Sequence, residues 1–324
     1  MNVLITGAAG FLGHRLATAL LSRPGLLESN GEKLDISQVR LLDVVASPPI
    51  ADSRVVSVVG NLADESVLGH AVDTDTRAVF HLAAVVSGQA EADFELGMQV
   101  NLDGTRRLLD VCRSKAHAPT VVFASSVAVY GGELPDIVTD DTRLAPQSSY
   151  GTQKAIGELL VNDYSRRGFI DGRALRLPTI SVRPGLPNAA LSSFASGIIR
   201  EPLNGHDAVC PVAPETILWL LSPATVVECL ITAHNVAAEK LGANRSIILP
   251  GLAVSVLEMV EALRSAAGSD VANRVKWQRD PRVERVANTW PGTLDAWRAI
   301  ALGFPTDTSF EDIVRQYMAE AGLQ

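Results

Sequence analysis

The sequence predicts an α/β protein, a doubly wound parallel sheet with a smaller C-terminal lobe, and three observations lead to that class. Short apolar runs rich in β-branched residues alternate with helical periodicity through the first half of the chain. A glycine triplet, Gly7, Gly10 and Gly13, follows the first apolar run directly. Past Pro178 the texture changes: proline and glycine become frequent, and short strands sit among short helices.

The elements follow in order. Residues 2–6 form an apolar run that leads straight into Gly7, and Phe11, Leu12, Arg15, Leu16, Ala19 and Leu20 then recur at helical spacing. Strand, glycine turn and helix N-terminus together make an anion site, because free backbone N–H groups and the helix dipole both point at a phosphate. Residues 41–45 predict a second strand carrying Asp43 near its end, where an acid accepts hydrogen bonds from a ribose 2′-hydroxyl and repels a 2′-phosphate. This is the pattern of a Rossmann-type site for NAD rather than NADP. Residues 24–37 lengthen the usual spacing of about twenty residues between the two features and read as a surface insertion. Further strands are predicted at 55–59, 78–82, 120–124 and 173–177, with long helices over 94–115 and 149–167. A strand at 246–249 is assigned to the C-terminal lobe. The division expected is 1–178 for the dinucleotide-binding and catalytic part and 179–324 for a substrate-binding lobe interleaved with it.

Composition excludes other classes. The chain has 324 residues, 47% hydrophobic and 20% charged, enough for a large core. A net charge of −8 without runs of Lys or Arg argues against nucleic acid or an anionic membrane as partner. No apolar stretch approaches ~18 residues, and the first residues already read as a core strand, so neither a spanning helix nor a signal peptide is expected. Cys112, Cys210 and Cys229 are scattered, as are the six histidines; no metal site is expected, and the cytoplasm is the expected compartment.

The chemistry is carried by a second motif, Tyr150-Gly-Thr-Gln-Lys154. Four residues apart on a helix, Tyr150 and Lys154 lie on one face. A phenol is a poor base near neutral pH, but an adjacent ammonium and a cationic nicotinamide both favour its phenolate. Ser125 and Ser126 leave the end of the 120–124 strand, the edge where open α/β sheets bind ligands. Tyr150 would take a hydroxyl proton, Lys154 would depress its pKa, and Ser126 would hold the substrate oxygen. The alternative is a surface Tyr–Lys pair and a strand-end cap.

With Gly7-x-x-Gly10-x-x-Gly13, His81-Leu-Ala-Ala84, Asn101-Leu-Asp-Gly-Thr105, Ser126-Val-Ala-Val-Tyr-Gly131 and Tyr150-x-x-x-Lys154 in this order, the chain resembles the extended short-chain dehydrogenases/reductases over essentially its whole length. The resemblance implies that Phe11 and Leu12 cover the pyrophosphate, Asn61 and Leu62 flank the adenine, and Leu82, Ala83 and Ala84 line the cofactor cleft. Lys154 would also bind the nicotinamide ribose, Asn101 would support the site through its helix, and Pro178 would complete the cofactor set. His81 reads as a packed strand-end residue.

That family holds two reaction classes, and residues after the sixth strand must separate them. Many nucleotide-sugar members carry Arg-x-x-Asn there, whose Asn helps bind a diphosphate, whereas this chain has Arg176-Leu-Pro-Thr179. The stretches 180–188 and 192–203 resemble the D-erythronate dehydrogenases of the same superfamily. The implied substrate is a short sugar acid, D-erythronate going to 2-dehydro-D-erythronate. A site for it wants a guanidinium for the carboxylate and small polar side chains for the polyol. Arg183 and Arg200 are the guanidinium candidates, with Ser87, Thr179, Asn188, Ser192 and Ser193 beside Ser126 as hydroxyl readers. Each arginine reads equally as a tie between lobes, and the serines as caps or helix linings. The rivals are a nucleotide-sugar epimerase or dehydratase with tightly held NAD and a non-catalytic NAD-sensing protein. A homodimer through the two long helices is expected from the family.

Overall fold

The computed structural model describes residues 1–28, 31–185 and 190–323. At its centre is a seven-stranded, wholly parallel sheet: β1 (Asn2–Thr6), β2 (Gln38–Asp43), β3 (Val55–Val59), β4 (Thr76–His81), β5 (Thr120–Ser126), β6 (Asp171–Leu177) and β7 (Ser246–Ile248). In space their order is β3-β2-β1-β4-β5-β6-β7. The chain winds outward from β1 in one direction and then, through β4, in the other, which opens a crevice at the carboxyl ends of β1 and β4. Strands covered on both faces read as continuous apolar runs, and Val3, Leu4 and Ile5 are fully buried accordingly.

Helices α1 (Phe11–Leu21) and α6 (Pro223–Asn235) cover one face; Leu16, Leu20, Val226, Leu230 and Ile231 meet Ile5, Phe80 and Val122 there. On the other face α2 (Glu65–Ala71), α3 (Thr105–Lys115) and α4 (Ser149–Arg166) bury Leu68, Leu108, Leu109 and Val161 against Leu4, Val79 and Phe123. Helices α2, α4 and α6 are capped by the side chains of Asp64, Ser148 and Ser222. A second core, with Ile198, Leu218, Met259, Leu263 and Val314, joins α5 (Phe194–Leu203), α7 (Val256–Ala267) and α8 (Phe310–Glu320) to a small sheet of Leu252–Ser255, Ile217–Leu221 and Thr179–Ile180.

Four expectations are corrected. The strand at 41–45 lies at Gln38–Asp43, with Val44 and Val45 exposed past its end. The 94–115 helix is Phe94–Gly97 and α3 joined by a π-helical segment, Met98–Gly104. Residues 24–37 include a two-stranded hairpin, Leu26–Leu27 with Lys33–Leu34, whose Leu26 is buried in the first core, so the stretch is more than a surface insertion. The 246–249 strand is β7, the edge of the main sheet, and α6 also returns to that sheet. The two lobes are therefore interleaved, and no single cut at residue 178 separates them.

Candidate active site

One cleft of about 780 Å³ runs along the carboxyl edge of the sheet, lined from Gly7 to Pro291, a size suited to small-molecule and cofactor sites. At its first end the glycines do three separate jobs. Gly7 has φ +71°, and a Cβ there would meet the Ala83 amide nitrogen at 2.6 Å, so β1 and β4 can close side by side only with glycine. A Cβ on Gly13 would meet the Gly7 carbonyl at 2.3 Å, so α1 packs onto the turn by the same means. Gly10 is the N-cap of α1 and offers no side-chain cap, unlike Asp64, Ser148 and Ser222. An uncapped N-terminus facing a cleft is what a pyrophosphate requires. Asp43 ends β2 there and accepts a hydrogen bond from the Ala9 amide at 2.9 Å, which ties it to the glycine turn. Phe11, Leu12, Asn61, Leu62, Leu82, Ala83, Ala84 and Pro178 all line the cleft. The residues present fit a nicotinamide dinucleotide.

Asn101 does not line it. Its side chain accepts from the Val85 amide at 2.8 Å and donates to the Val85 carbonyl at 3.0 Å and to Gln153 at 2.7 Å. It clamps the turn after β4 to α4, a positioning task made possible by the π-helical segment that carries it. His81 is buried between the hydroxyls of Thr6 and Thr105, at 2.7 and 2.9 Å, and burial with the nearby Lys154 charge holds its pKa down at about 3. It is a neutral structural link.

At the other end Ser126 closes β5 and Tyr150 and Lys154 stand on α4, all three lining the cleft. The Ser126 hydroxyl accepts from the Ala128 amide at 3.1 Å and stands near enough to the Tyr150 phenol to favour its ionised form. Burial pushes that phenol up to about 12, with Ser126 and the Arg183 charge acting in the opposite direction. The Lys154 ammonium donates to the Ala124 carbonyl at 2.7 Å and lies 5.6 Å from the Tyr150 ring centroid and 4.7 Å from that of Phe123. Burial holds its pKa down at about 7, opposed by Glu158 one helical turn away. Glu158 in turn accepts from Ser125 at 2.5 Å and from Arg176 at 2.8 Å, so β5 and α4, which carry the three site residues, are tied to each other and to β6 around one buried ion pair.

Of the substrate candidates, Ser87, Thr179, Arg183 and Ser192 line the cleft with Ser126. Ser193 and Arg200 do not; Arg200 is 4% exposed, with its guanidinium on Glu201 at 2.5 Å and on the Arg183 carbonyl at 2.8 Å. It is a tie, not a reader. Asn188 lies outside the described residues. The cleft also takes in Gln89, Trp219, Thr289 and Trp290, which sequence reading missed because they come from a short helix, a strand and a turn with no local motif. Among the described residues no cluster of three or more His, Cys, Asp or Glu could hold a metal ion, and no helix is long and apolar enough to cross a membrane.

Known proteins agree with this geometry. The model of the NAD dependent epimerase/dehydratase family matches residues 3–218. A D-erythronate dehydrogenase of Cupriavidus necator is 62% identical over 323 residues, covering 100% of this chain and 99% of that protein. Another from Haemophilus influenzae is 44% identical over 321 residues, covering 98% and 99%. Among solved structures, one described as the nucleoside-diphosphate-sugar epimerase from Agrobacterium tumefaciens superposes with a TM-score of 0.91 at 40% identity, covering 100% of this chain and 95% of that one. L-threonine 3-dehydrogenase from Trypanosoma brucei superposes at 0.84 with 25% identity, covering 99% and 98%. With an uncapped glycine turn at one end of its cleft, Ser126, Tyr150 and Lys154 at the other, and a family match spanning both, the chain belongs to the NAD dependent epimerase/dehydratase family.

Proposed function

We infer that the protein is a dehydrogenase that oxidises D-erythronate at C2 to 2-dehydro-D-erythronate, with NAD as acceptor. The observation that carries this reading is the end-to-end match to two D-erythronate dehydrogenases, at 62% and 44% identity. Asp43 supports NAD over NADP, since its carboxylate at the end of β2 would repel a 2′-phosphate. When bound, NAD supplies the hydride acceptor and a positive charge. Tyr150 takes the proton of the substrate hydroxyl, and Ser126 holds that oxygen by donating its own proton to it. Lys154 lends positive charge while it remains protonated. Positioned acid–base groups of this kind contribute about 10²–10⁴ in rate, so Tyr150→Phe should lower kcat by at least about a hundredfold while NADH fluorescence titration gives an unchanged Kd. Loss of NADH binding with turnover intact at saturation would remove Tyr150 from this role.

The second reading is an epimerase that re-reduces its own intermediate, favoured by the description of the Agrobacterium structure. Against it, Arg176-Leu-Pro-Thr179 lacks the diphosphate-binding Asn of nucleotide-sugar members. Absorbance at the NADH band separates the two: NADH in large molar excess over enzyme, from NAD and D-erythronate, supports a releasing dehydrogenase. Silence with sugar acids, and NAD retained through purification, supports the epimerase. A pure sensor would need neither base nor lysine.

The family resemblance also supports a homodimer through residues 94–115 and α4, where Phe94 and Leu159 are 54% and 66% exposed. Light scattering should give twice the chain mass, and Leu159→Lys should halve it. Three buried thiols are compatible with the cytoplasm as its compartment.

A further inference from the structure

Charge is balanced at three of the four arginines between residues 173 and 200. Arg173, Arg176 and Arg200 each pair with a carboxylate, Asp171 at 2.9 Å, Glu158 at 2.8 Å and Glu201 at 2.5 Å. Arg183 is the exception. It lines the cleft beside Tyr150, forms no ion pair among the described residues, and its buried Nη2 finds no hydrogen-bond partner among them. Residues 186–189, Leu-Pro-Asn-Ala, bring it no acid either. A desolvated guanidinium without a counter-charge is unfavourable, so at a ligand cavity it calls for an anion that arrives with the ligand.

The fold holds this arginine in place. Its amide donates to the Ser196 hydroxyl at 3.0 Å and its carbonyl accepts from Arg200 at 2.8 Å, both on α5, and Ser181 donates to the Ala195 carbonyl at 3.1 Å. Because Glu201 is already committed to Arg200, it leaves Arg183 uncompensated. Both line the cleft, and the Arg183 charge favours the ionised form of the Tyr150 phenol. The glycine turn that fits the cofactor pyrophosphate follows β1, three strands and roughly 14 Å from β6 at about 4.8 Å per strand, whereas Arg183 acts on Tyr150 at the catalytic end of the cleft.

We propose that Arg183 is the receptor for the substrate carboxylate, and that by its place beside Tyr150 it restricts the enzyme to 2-hydroxy acids oxidised at the hydroxyl adjacent to the carboxylate. A guanidinium binds a carboxylate through two parallel hydrogen bonds, which fixes orientation as well as affinity. With the carboxylate so held, the carbon that bears the C2 hydroxyl is one bond from the carboxyl carbon and that hydroxyl reaches Tyr150, whereas a C3 hydroxyl is a carbon further on. The proposal rests on the dehydrogenase reading and names the group that makes it selective.

The test measures NADH formation by the full-length protein with D-erythronate and with its neutral amide, D-erythronamide. Wild-type protein should favour the acid in kcat/KM by on the order of 100-fold, the scale of a desolvated charge pair. Arg183→Gln should raise KM for D-erythronate by a similar factor, leave KM for the amide within about threefold, and keep the NADH Kd, while any change in kcat through the Tyr150 pKa falls on both substrates alike; Arg183→Lys should recover part of the KM loss, as a single-point donor would. Equal use of acid and amide by wild type would overturn the proposal even if every variant failed to fold. So would an Arg183→Gln enzyme that loses both substrates equally. If wild type oxidises some other 2-hydroxy acid but not D-erythronate, the substrate reading fails and the role of Arg183 stands. If it turns over only neutral polyols or nucleotide sugars, both fail.

Discussion

At 2% exposure the Lys154 side chain sits where an ammonium is poorly solvated, with one carbonyl as acceptor and the Phe123 ring beneath it. Its pKa is held near 7 against an ordinary 10.5, which corresponds to roughly 5 kcal/mol of disfavoured charge. Replacing it with methionine fills a similar volume and removes that penalty, but leaves the Ala124 carbonyl without its donor, a loss of about 1–3 kcal/mol. Lys154→Met should therefore be more stable by about 2 kcal/mol at pH 7 and inactive. The sign follows from the depressed pKa: between pH 7 and 10.5 the unfolded chain binds a proton that the folded chain does not, so wild-type stability gains as pH rises through this window. The variant's advantage should shrink over the same range, and urea titrations at pH 7 and pH 10 would reveal an error if the gap stayed constant. Tyr150 and Lys154 were legible in the sequence because helical spacing places them on one face. The choice between Arg183 and Arg200 was not, since it depends on which guanidinium Glu201 captures in space.

At the scale of elements, the glycine turn was readable because each glycine answers a backbone constraint, and the constraints differ enough to predict different outcomes. A Cβ at Gly13 would come within 2.3 Å of the Gly7 carbonyl and 2.7 Å of the Ala8 Cα. Both are backbone, so neither can swing aside, and α1 must shift off the turn. Gly13→Ala should then cost about 1–3 kcal/mol, as overpacking does, and weaken NADH binding by at least tenfold by moving the helix N-terminus, measured by fluorescence titration. Unaltered affinity would mean that the turn does not hold the pyrophosphate. Other features left no trace in the sequence. The 94–115 stretch has uninterrupted helical spacing, and nothing local announces a π-helical turn; that turn carries Asn101, which reaches back to Val85 and across to Gln153. Likewise β2 stops at Asp43 despite two following valines, since the chain leaves the sheet there at the rim of the cleft, with Val44 lining it.

For the molecule as a whole, the division at Pro178 marks where the chain first leaves the dinucleotide-binding sheet, but the fold returns to it twice. Helix α6 buries Val226, Val227, Leu230 and Ile231 against the sheet, and β7 pairs with β6 through Ser246, Ile247 and Ile248. Sequence periodicity shows that 246–249 is a strand, and cannot show which sheet it joins, because pairing partners are set by long-range contacts. The energetic consequence is large. Uncovering four large apolar side chains, with Ile247 and Leu249 beside them, forfeits about 1.5–3 kcal/mol apiece, a total comparable with the 5–15 kcal/mol by which domains of this kind are stable. It also leaves β6 as a bare edge with Arg173 exposed beside it, where α6's neighbour Val236 supplies its 2.6 Å carbonyl acceptor. A chain ending at residue 178, although it contains every glycine of the turn as well as Ser126, Tyr150 and Lys154, should be insoluble or melt without cooperativity and fail to bind NADH. A soluble 1–178 fragment with a sharp thermal transition and NADH affinity near that of the full chain would instead make the first lobe autonomous, and reduce the C-terminal half to a substrate cover.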